Sequence, residues 1–276
     1  MFILAVAACR VNFDPLADGS APLDATWSTP VKISELDTSA DEEDASLTSA
    51  QTEITFGRSD DGNRSDLFFA TRSDRAATWT VIGIVPFDDP SADNGSPRYS
   101  ADDLTLYFNS DRDGGMGMSD VYVVTRTAVG AAWGEPAPLA EVNSANVDKW
   151  FTPCANDRYM MIHDATDDDD IYENVLDSEA PQPIPELNTS SIETSIEVSP
   201  DCLTAYFASA RGASEDLYTA HRDSVGATWS TPERIDELSD PTVDEEDPWV
   251  SADGHTIVFA RADPVTGLHD LWTASR

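Results

Sequence analysis

Basic residues are scarce in this chain. Its 276 residues include 16 Lys and Arg against 52 Asp and Glu, which gives a formal net charge of -36. Nucleic-acid binding depends on Lys and Arg that neutralise phosphates, so this balance excludes nucleic acid as a partner. An anionic membrane surface would repel the chain for the same reason, and contact with a membrane would therefore require a lipid anchor.

Long apolar runs are also absent. No run of about 18 apolar residues exists, so no segment is expected to span a bilayer as a helix. The chain is nevertheless 40% hydrophobic and has seven Trp, which is enough to bury a core and is unlike a disordered acidic tail. The length fits one domain or a repeat array.

Cysteine is rare, and the first of the three cysteines ends an apolar run. The stretch Val6-Ala7-Ala8-Cys9 resembles a bacterial lipobox, in which the cysteine carries the lipid. The eight preceding residues contain no Lys or Arg and are short for a secretory leader, so we expect the natural start further upstream. The alternative is an apolar tag without function. The resemblance implies residence in the cell envelope, anchored by lipid at the outer membrane or on the periplasmic face.

The resulting division of the chain has three parts. Residues 1–9 form a residual signal segment, and residues 10–25, where Pro, Gly, Asp and Ser alternate, form a flexible tether. Residues 26–276 form a single domain.

An internal repeat dominates that domain. The segments 100–108, 199–207 and 251–259 are copies of one pattern, and Asp-apolar-aromatic triplets begin at 66, 120, 170, 216 and 270, separated by 54, 50, 46 and 54 residues. A third element opens with Trp at 27, 79, 133 and 229, and a copy without Trp covers 181–187. Each element is short, alternates apolar with polar residues and ends in a turn, so each predicts a β-strand. Four strands in about 50 residues are typical of a propeller blade.

The repeated motifs are Ser-Pro-Asp, a strand ending in Tyr-Phe, Ser-x-Arg and Asp-Leu-Tyr. In these motifs the chain resembles the WD40-like Pro-Asp repeat propellers of the TolB type. The resemblance covers about residues 26–276 and implies a β-propeller. It implies little about function, because such propellers serve as scaffolds, binding modules and enzyme appendages.

The number of blades follows from the order of the elements. The first Trp strand precedes every other element, and the chain stops just after the fifth Asp-Leu-aromatic strand. We therefore predict an all-β, five-bladed propeller of four-stranded blades in which residues 27–36 complete the last blade. A six-bladed ring is the alternative, but it would need about 45 more residues.

Some repeated residues are best explained as structural. The Asp of Asp-Leu-Tyr and the Arg at 58, 112, 211 and 261 recur in nearly every blade, whereas an active site needs asymmetry. The histidines show no zinc-ligand spacing. Cys154 and Cys202 fall in equivalent turns of adjacent blades, which predicts a disulfide in an exported protein. Two separate buried thiols are the alternative.

Acidic residues precede the inner strands and offer a candidate site. Counting six residues back from the turn in each repeat reaches Glu43, Asn94, Asp148, Glu193 and Glu245. Near a five-fold axis these side chains would converge into a ring that raises its own pKa values unless a cation binds. The pattern predicts a cation-binding mouth, with calcium favoured if the ligand is a metal. The alternative is a set of solvated loops.

We interpret the chain as a non-catalytic, monomeric lipoprotein that binds a protein or an envelope component. No cofactor is expected, calcium excepted. The enzymatic alternative is a glycoside hydrolase with Glu193 as acid and Asp148 or Glu43 as base. A sialidase-like propeller is a further alternative, based on the Thr-Trp turns at 78–79 and 228–229.

Overall fold

The structure is a computed structural model that describes residues 26–60, 62, 64–164, 169–176, 178 and 180–276. The predicted lipidation site Cys9, the signal segment 1–9 and the tether 10–25 lie outside the described residues. Within the described ranges, no helix is long and apolar enough to cross a membrane.

The described chain is built almost entirely of β-strands. In chain order these are β1 (Val31–Lys32), β2 (Asp41–Leu47), β3 (Glu53–Ser59), β4 (Asp66–Thr71), β5 (Thr80–Ile84), β6 (Asn94–Tyr99), β7 (Thr105–Ser110), β8 (Asp120–Thr125), β9 (Ala137–Pro138), β10 (Val147–Cys154), β11 (Arg158–Asp164), β12 (Asp169–Val175), β13 (Gln182–Pro183), β14 (Ser195–Val198), β15 (Thr204–Ser209), β16 (Asp216–His221), β17 (Glu233–Arg234), β18 (Glu245–Val250), β19 (Thr256–Ala262) and β20 (His269–Ser275). A short 3-10 turn, Ala155–Asp157, follows β10.

These strands form five four-stranded antiparallel sheets. Blades 1 to 4 are β2–β5, β6–β9, β10–β13 and β14–β17, each in sequence order, and blade 5 is β18–β20 with β1 at its outer edge. The predicted five-bladed propeller is confirmed.

The N-terminal strand closes the ring as predicted. Val31 pairs with Thr273 and Lys32 with Trp272, so β1 is the fourth strand of the blade that ends the chain. The Ile33 amide also donates to the carbonyl of Leu271 at 2.8 Å. Closure removes the open sheet edges that a linear array of blades would leave at its two ends.

The core lies between the blades. Apolar residues of the second strands, such as Phe56, Phe108 and Phe207, are at most 1% exposed because each packs against a neighbouring blade. The described buried residues fall into five apolar clusters, and each cluster spans one interface between adjacent blades. Alternation along each strand therefore places one set of side chains in each of two interfaces.

The repeated Trp residues pack at the blade edges, and each is covered by an arginine that the sequence analysis did not single out. The pairs, with the guanidinium carbon to ring-centroid distance, are Arg72 and Trp79 (4.2 Å), Arg126 and Trp133 (4.5 Å), Arg222 and Trp229 (4.3 Å), and Arg276 and Trp27 (4.3 Å). In each pair the Arg Nε donates to the carbonyl of the turn between the first two strands of its own blade, at Gln51, Asp103, Cys202 and Gly254. We call each pair an Arg–Trp clamp, because it fastens the third strand, the fourth strand and the turn together.

Blade 3 has no Arg–Trp clamp. Leu176 occupies the arginine position, and no Trp follows before β13. Instead, Cys154 at the end of β10 forms a disulfide with Cys202 in the corresponding turn of blade 4, with Cα atoms 5.5 Å apart. The third and fourth blades are thus joined covalently at the face where these turns lie.

Candidate functional site

Four of the five residues predicted to ring the axis do not converge there. Asn94, Asp148, Glu193 and Glu245 are at most 1% exposed, and each is bonded within its own blade. Glu193 Oε1 accepts from Arg211 at 3.1 Å and from Ser209 Oγ at 2.7 Å. Glu193 and Glu245 therefore pair with repeat arginines, whereas Asp148 pairs with His163 and Asn94 is a neutral amide.

The same arrangement recurs around the ring with different partners. Arg261 Nε donates to Glu245 at 2.9 Å, Arg112 donates to the Asn94 amide oxygen at 2.8 Å, and His163 Nδ1 lies 2.7 Å from Asp148. The hydrogen bond that His163 donates to the Asp148 carboxylate raises the pKa of His163. The repeat arginines at 58, 112, 211 and 261 also donate to backbone carbonyls of Leu36, Phe87, Leu187 and Leu238. Their expected structural role is what the structure shows.

In blade 1 the equivalent residue is Glu42 rather than Glu43. Glu42 is fully buried and accepts from Arg58 Nε at 2.8 Å. The first repeat is one residue shorter at its turn, so a count of six residues back falls on the next position. Glu43 therefore points toward the axis, where the other four predicted residues do not.

The residues that do meet at the axis follow these buried positions directly along the inner strands. They line a cavity of about 250 Å³, here called the axial pocket, whose lining is Glu43, Asp44, Ser65, Asp93, Gly95, Ser96, Asn109, Lys149, Trp150, Thr194, Glu246 and Asp247. Glu43 and Asp44 come from blade 1 and Glu246 and Asp247 from blade 5, which are adjacent in the closed ring, and Asp93 directly precedes β6 of blade 2. The acidic segments 41–44 and 244–247 belong largely to inner strands β2 and β18, which begin at Asp41 and Glu245.

An unusual backbone conformation lets neighbouring residues share the pocket. Asp44, Ser96, Trp150 and Asp247 have φ of 59°, 47°, 58° and 59°, in the left-handed region that side chains rarely adopt. The inner strands shift register at the same places, between Glu43 and Ser46 in blade 1 and between Glu246 and Trp249 in blade 5. Such bulges break the alternation of faces, so two consecutive residues line the axis. Strained backbone of this kind concentrates at functional sites.

Three carboxylates crowd one wall of the axial pocket. Oxygens of Glu43, Glu246 and Asp247 lie within 4.8 Å of one another. Asp44 is only 7% exposed and Asp247 only 4%. The Asp44 amide donates to Asp247 Oδ2 at 3.2 Å, and the Ser96 amide donates to Asp44 Oδ2 at 2.8 Å.

This crowding changes the protonation of the wall. Burial, followed by the negative charges of Asp44 and Glu246, raises the pKa of Glu43 to about 8. Burial raises the pKa of Asp44 to about 6, and burial together with the charge of Asp44 raises the pKa of Asp247 well above its ordinary value. The wall therefore holds protons at neutral pH that isolated carboxyl groups would release.

The cations near the pocket are already paired with carboxylates, and one of these carboxylates, Glu246, belongs to the wall itself. Lys149 Nζ lies 2.8 Å from Asp169, and His269 Nε2 lies 2.9 Å from Glu246. Burial lowers the pKa of His269, but hydrogen bonds to Asp41 and Glu246 outweigh it and raise that pKa to about 11. Across the described part of the chain, no Lys, Arg or His forms an ion pair with Glu43, Asp44 or Asp247.

A single arginine forms the floor of the pocket. Arg98, 2% exposed, follows Ser96 along β6 toward the opposite face and contacts all five blades. It donates to the carbonyls of Ala45 (3.2 Å), Pro97 (2.8 Å) and Pro248 (3.2 Å), pairs with Glu197 at 3.0 Å and lies 4.7 Å from the centroid of Trp150. Arg98 therefore connects all five blades at the axis, next to the pocket residue Trp150.

Comparison with known proteins places the chain by fold alone. No family model matches the sequence, and no curated protein matches it. Among solved structures, a putative TolB from Agrobacterium tumefaciens is similar with a TM-score of 0.53 and 16% identity, over 86% of this chain and 78% of that one. The family 117 glycoside hydrolase Zg3597 from Zobellia galactanivorans has a TM-score of 0.60 and 10% identity, over 91% and 90%. An endo-arabinase from Bacteroides thetaiotaomicron has a TM-score of 0.58 and 14% identity, over 90% and 97%.

These similarities define the class of protein, a five-bladed β-propeller. TolB-type propellers are among its structural neighbours, in line with the resemblance in its repeats. Glycoside hydrolase propellers are at least as similar, so the fold alone does not select a function.

Proposed function

We propose that this chain is a non-catalytic binding protein whose axial pocket accepts a cationic group of its ligand. The observation that carries the proposal is the cluster of Glu43, Asp44 and Asp247 in the pocket. Asp44 and Asp247 are buried and Glu43 is half-buried, and among the described residues none of the three has an ion-paired Lys, Arg or His. A cation in the pocket would replace the retained protons and relieve the repulsion between these carboxylates.

Calcium is the inorganic cation that the donors suit best. Glu43, Glu246 and Asp247 offer hard carboxylate oxygens close together, and calcium prefers such ligands in flexible geometry. An organic ammonium group would use the same charges but would fill more of the 250 Å³ cavity. The proposal requires the pocket to bind one of these two classes of cation.

Calorimetric titration with Ca²⁺ and with spermidine tests the proposal. We expect Glu43→Gln and Asp247→Asn each to weaken binding at least tenfold. Asp236→Asn is the matched control. This substitution also removes one negative charge, but from a side chain that is 75% exposed at the outer edge of blade 4. The proposal would be contradicted if the unaltered protein bound neither Ca²⁺ nor spermidine. It would also be contradicted if the Asp236 variant lost as much affinity as the pocket variants.

We further propose that the protein is exported and held in the cell envelope by lipid on Cys9, where it binds a protein or envelope component as a monomer. The lipobox-like sequence and a disulfide, which persists outside the cytoplasm, support this location. Mass spectrometry of the natural N-terminus checks it, with Cys9→Ser as the control. An unmodified N-terminus upstream of Cys9 would count against it.

Glycoside hydrolysis is the second candidate, because adjacent carboxylates with raised pKa lie in a propeller pocket. Glu193 and Asp148 are bonded inside their blades, so neither can be the acid or base. Glu43, with its pKa of about 8, would be the acid and Glu246 or Asp247 the second carboxylate. Turnover of chromogenic glycosides that Glu43→Gln abolishes would favour this function over the first.

A further inference from the structure

Blade 3 depends on a connection that the other blades do not use. In blades 1, 2, 4 and 5 an arginine of the Arg–Trp clamp bonds the turn between the first two strands. In blade 3 this turn is held by the Cys154–Cys202 disulfide and by two backbone hydrogen bonds. The Ala155 amide donates to the Pro200 carbonyl of blade 4 at 2.9 Å, and the Leu176 amide donates to the Asp157 carbonyl at 2.8 Å. The disulfide therefore fixes this turn to the neighbouring blade, whereas a clamp fixes the turn to strands of its own blade.

One cysteine of the disulfide, Cys154, is the last residue of β10, the strand that contributes Lys149 and Trp150 to the axial pocket. Between them, Thr152 Oγ1 donates to the Ile196 carbonyl of blade 4 at 2.9 Å. Trp150 in turn packs on Arg98, which forms the pocket floor. The strand thus runs from the covalent link to the pocket within a few residues.

We propose that the Cys154–Cys202 disulfide is a redox-sensitive latch that holds β10 in place and so regulates the axial pocket. An external dithiol would supply two electrons, break the S–S bond and leave two thiols, while it becomes a disulfide itself. Cys202 is fully buried and Cys154 only partly so, which directs attack to the Cys154 sulfur. Once the latch is open, blade 3 has no clamp to retain its turn, whereas the four other blades keep theirs.

Hydrogen exchange of the intact protein with and without dithiothreitol tests the latch. We expect amide protection in residues 147–154 to fall at least tenfold on reduction, with β3 and β19 unchanged. The Cys154→Ala, Cys202→Ala double variant should show the loosened state without reductant and no response to it. Cys9→Ser is the control and should respond as the unaltered protein does. Unchanged protection of 147–154, or an equal loss in all five blades, would overturn the latch.

The regulatory part rests on the proposed cation-binding function and has its own readout. Ca²⁺ affinity, measured by calorimetry, should fall several-fold on reduction in the unaltered protein and stay constant in the double variant. Local loosening with unchanged Ca²⁺ affinity would overturn the regulation. Absence of Ca²⁺ and spermidine binding to the oxidised protein would refute the proposed function instead, while hydrogen exchange still decides the latch.

Discussion

Replacing Glu43 by Gln should stabilise the protein while it weakens the site. The side chain keeps its shape and its oxygen can still accept from Ser65 Oγ, which lies 3.2 Å from Glu43 Oε1. The substitution removes the carboxyl group of Glu43, which has to keep a proton in the folded protein. An increase in stability on loss of a polar group is a signature of a site selected for binding.

The magnitude follows from the pKa of Glu43. Because the folded pKa rises from 4.5 to about 8, the folded state binds a proton that the unfolded state has released between these values. The contribution of Glu43 to stability is therefore fully present below pH 4.5 and is lost as the pH rises to 8. At about 1.4 kcal/mol per pH unit the loss is at most about 5 kcal/mol, and we expect about 2 to 5 kcal/mol to be recovered in Glu43→Gln at pH 8.

Urea denaturation at pH 8 and pH 5 measures this effect. The gain should be large at pH 8 and small at pH 5, where most of the lost stability has already returned. Glu193→Gln is the control, because Glu193 is a buried glutamate that is paired with Arg211, and its replacement should lower the free energy of unfolding by about 3 kcal/mol at pH 8. Destabilisation by Glu43→Gln at pH 8, or a gain that does not depend on pH, would refute the reasoning.

Three further outcomes are expected. Arg98→Met should lower the free energy of unfolding by about 3 to 5 kcal/mol, because Glu197 stays buried without its partner. The double variant that also carries Glu197→Gln should recover part of this loss, and additive effects of the two substitutions would contradict the pairing. Deleting residues 26–36 should abolish cooperative thermal unfolding, since β20 loses its neighbour, and an unchanged melting temperature would contradict closure. Added Ca²⁺ should raise the melting temperature more at pH 8 than at pH 5, because protons compete for the same carboxylates; an equal rise would count against binding at the wall.

Much of the fold is legible in the repeats. The Asp-apolar-aromatic triplet and the turn motif recur because every blade packs against its neighbours in the same way. The period of the sequence therefore predicts the repeated structural unit. Closure by β1 follows because the Trp27 strand had no other partner. The equivalent turns at Cys154 and Cys202 also suggested the disulfide that the structure contains.

The sequence predicted only part of the candidate site. The tetrapeptide Asp-Glu-Glu-Asp occurs at both 41–44 and 244–247, which marked the acidic wall. Strict alternation, however, assigns neighbouring residues to opposite faces, and the positive φ at Asp44 and Asp247 defeats that rule. Counting along the repeat therefore selected buried residues that are bonded within their blades, apart from Glu43.

The sequence alone determined the architecture, because blade number, strand order and closure depend on patterns that repeat along the chain. The tertiary structure alone decided which carboxylates meet. Glu43 and Asp247 are about 200 positions apart in sequence and become neighbours only when the ring brings blade 5 against blade 1. Likewise, Arg98 is an ordinary strand residue in the sequence and becomes the floor of the pocket only at the axis that all five blades share. Residues that are far apart in sequence leave no local pattern that predicts their contact. Their shared site can therefore be identified only from the folded structure.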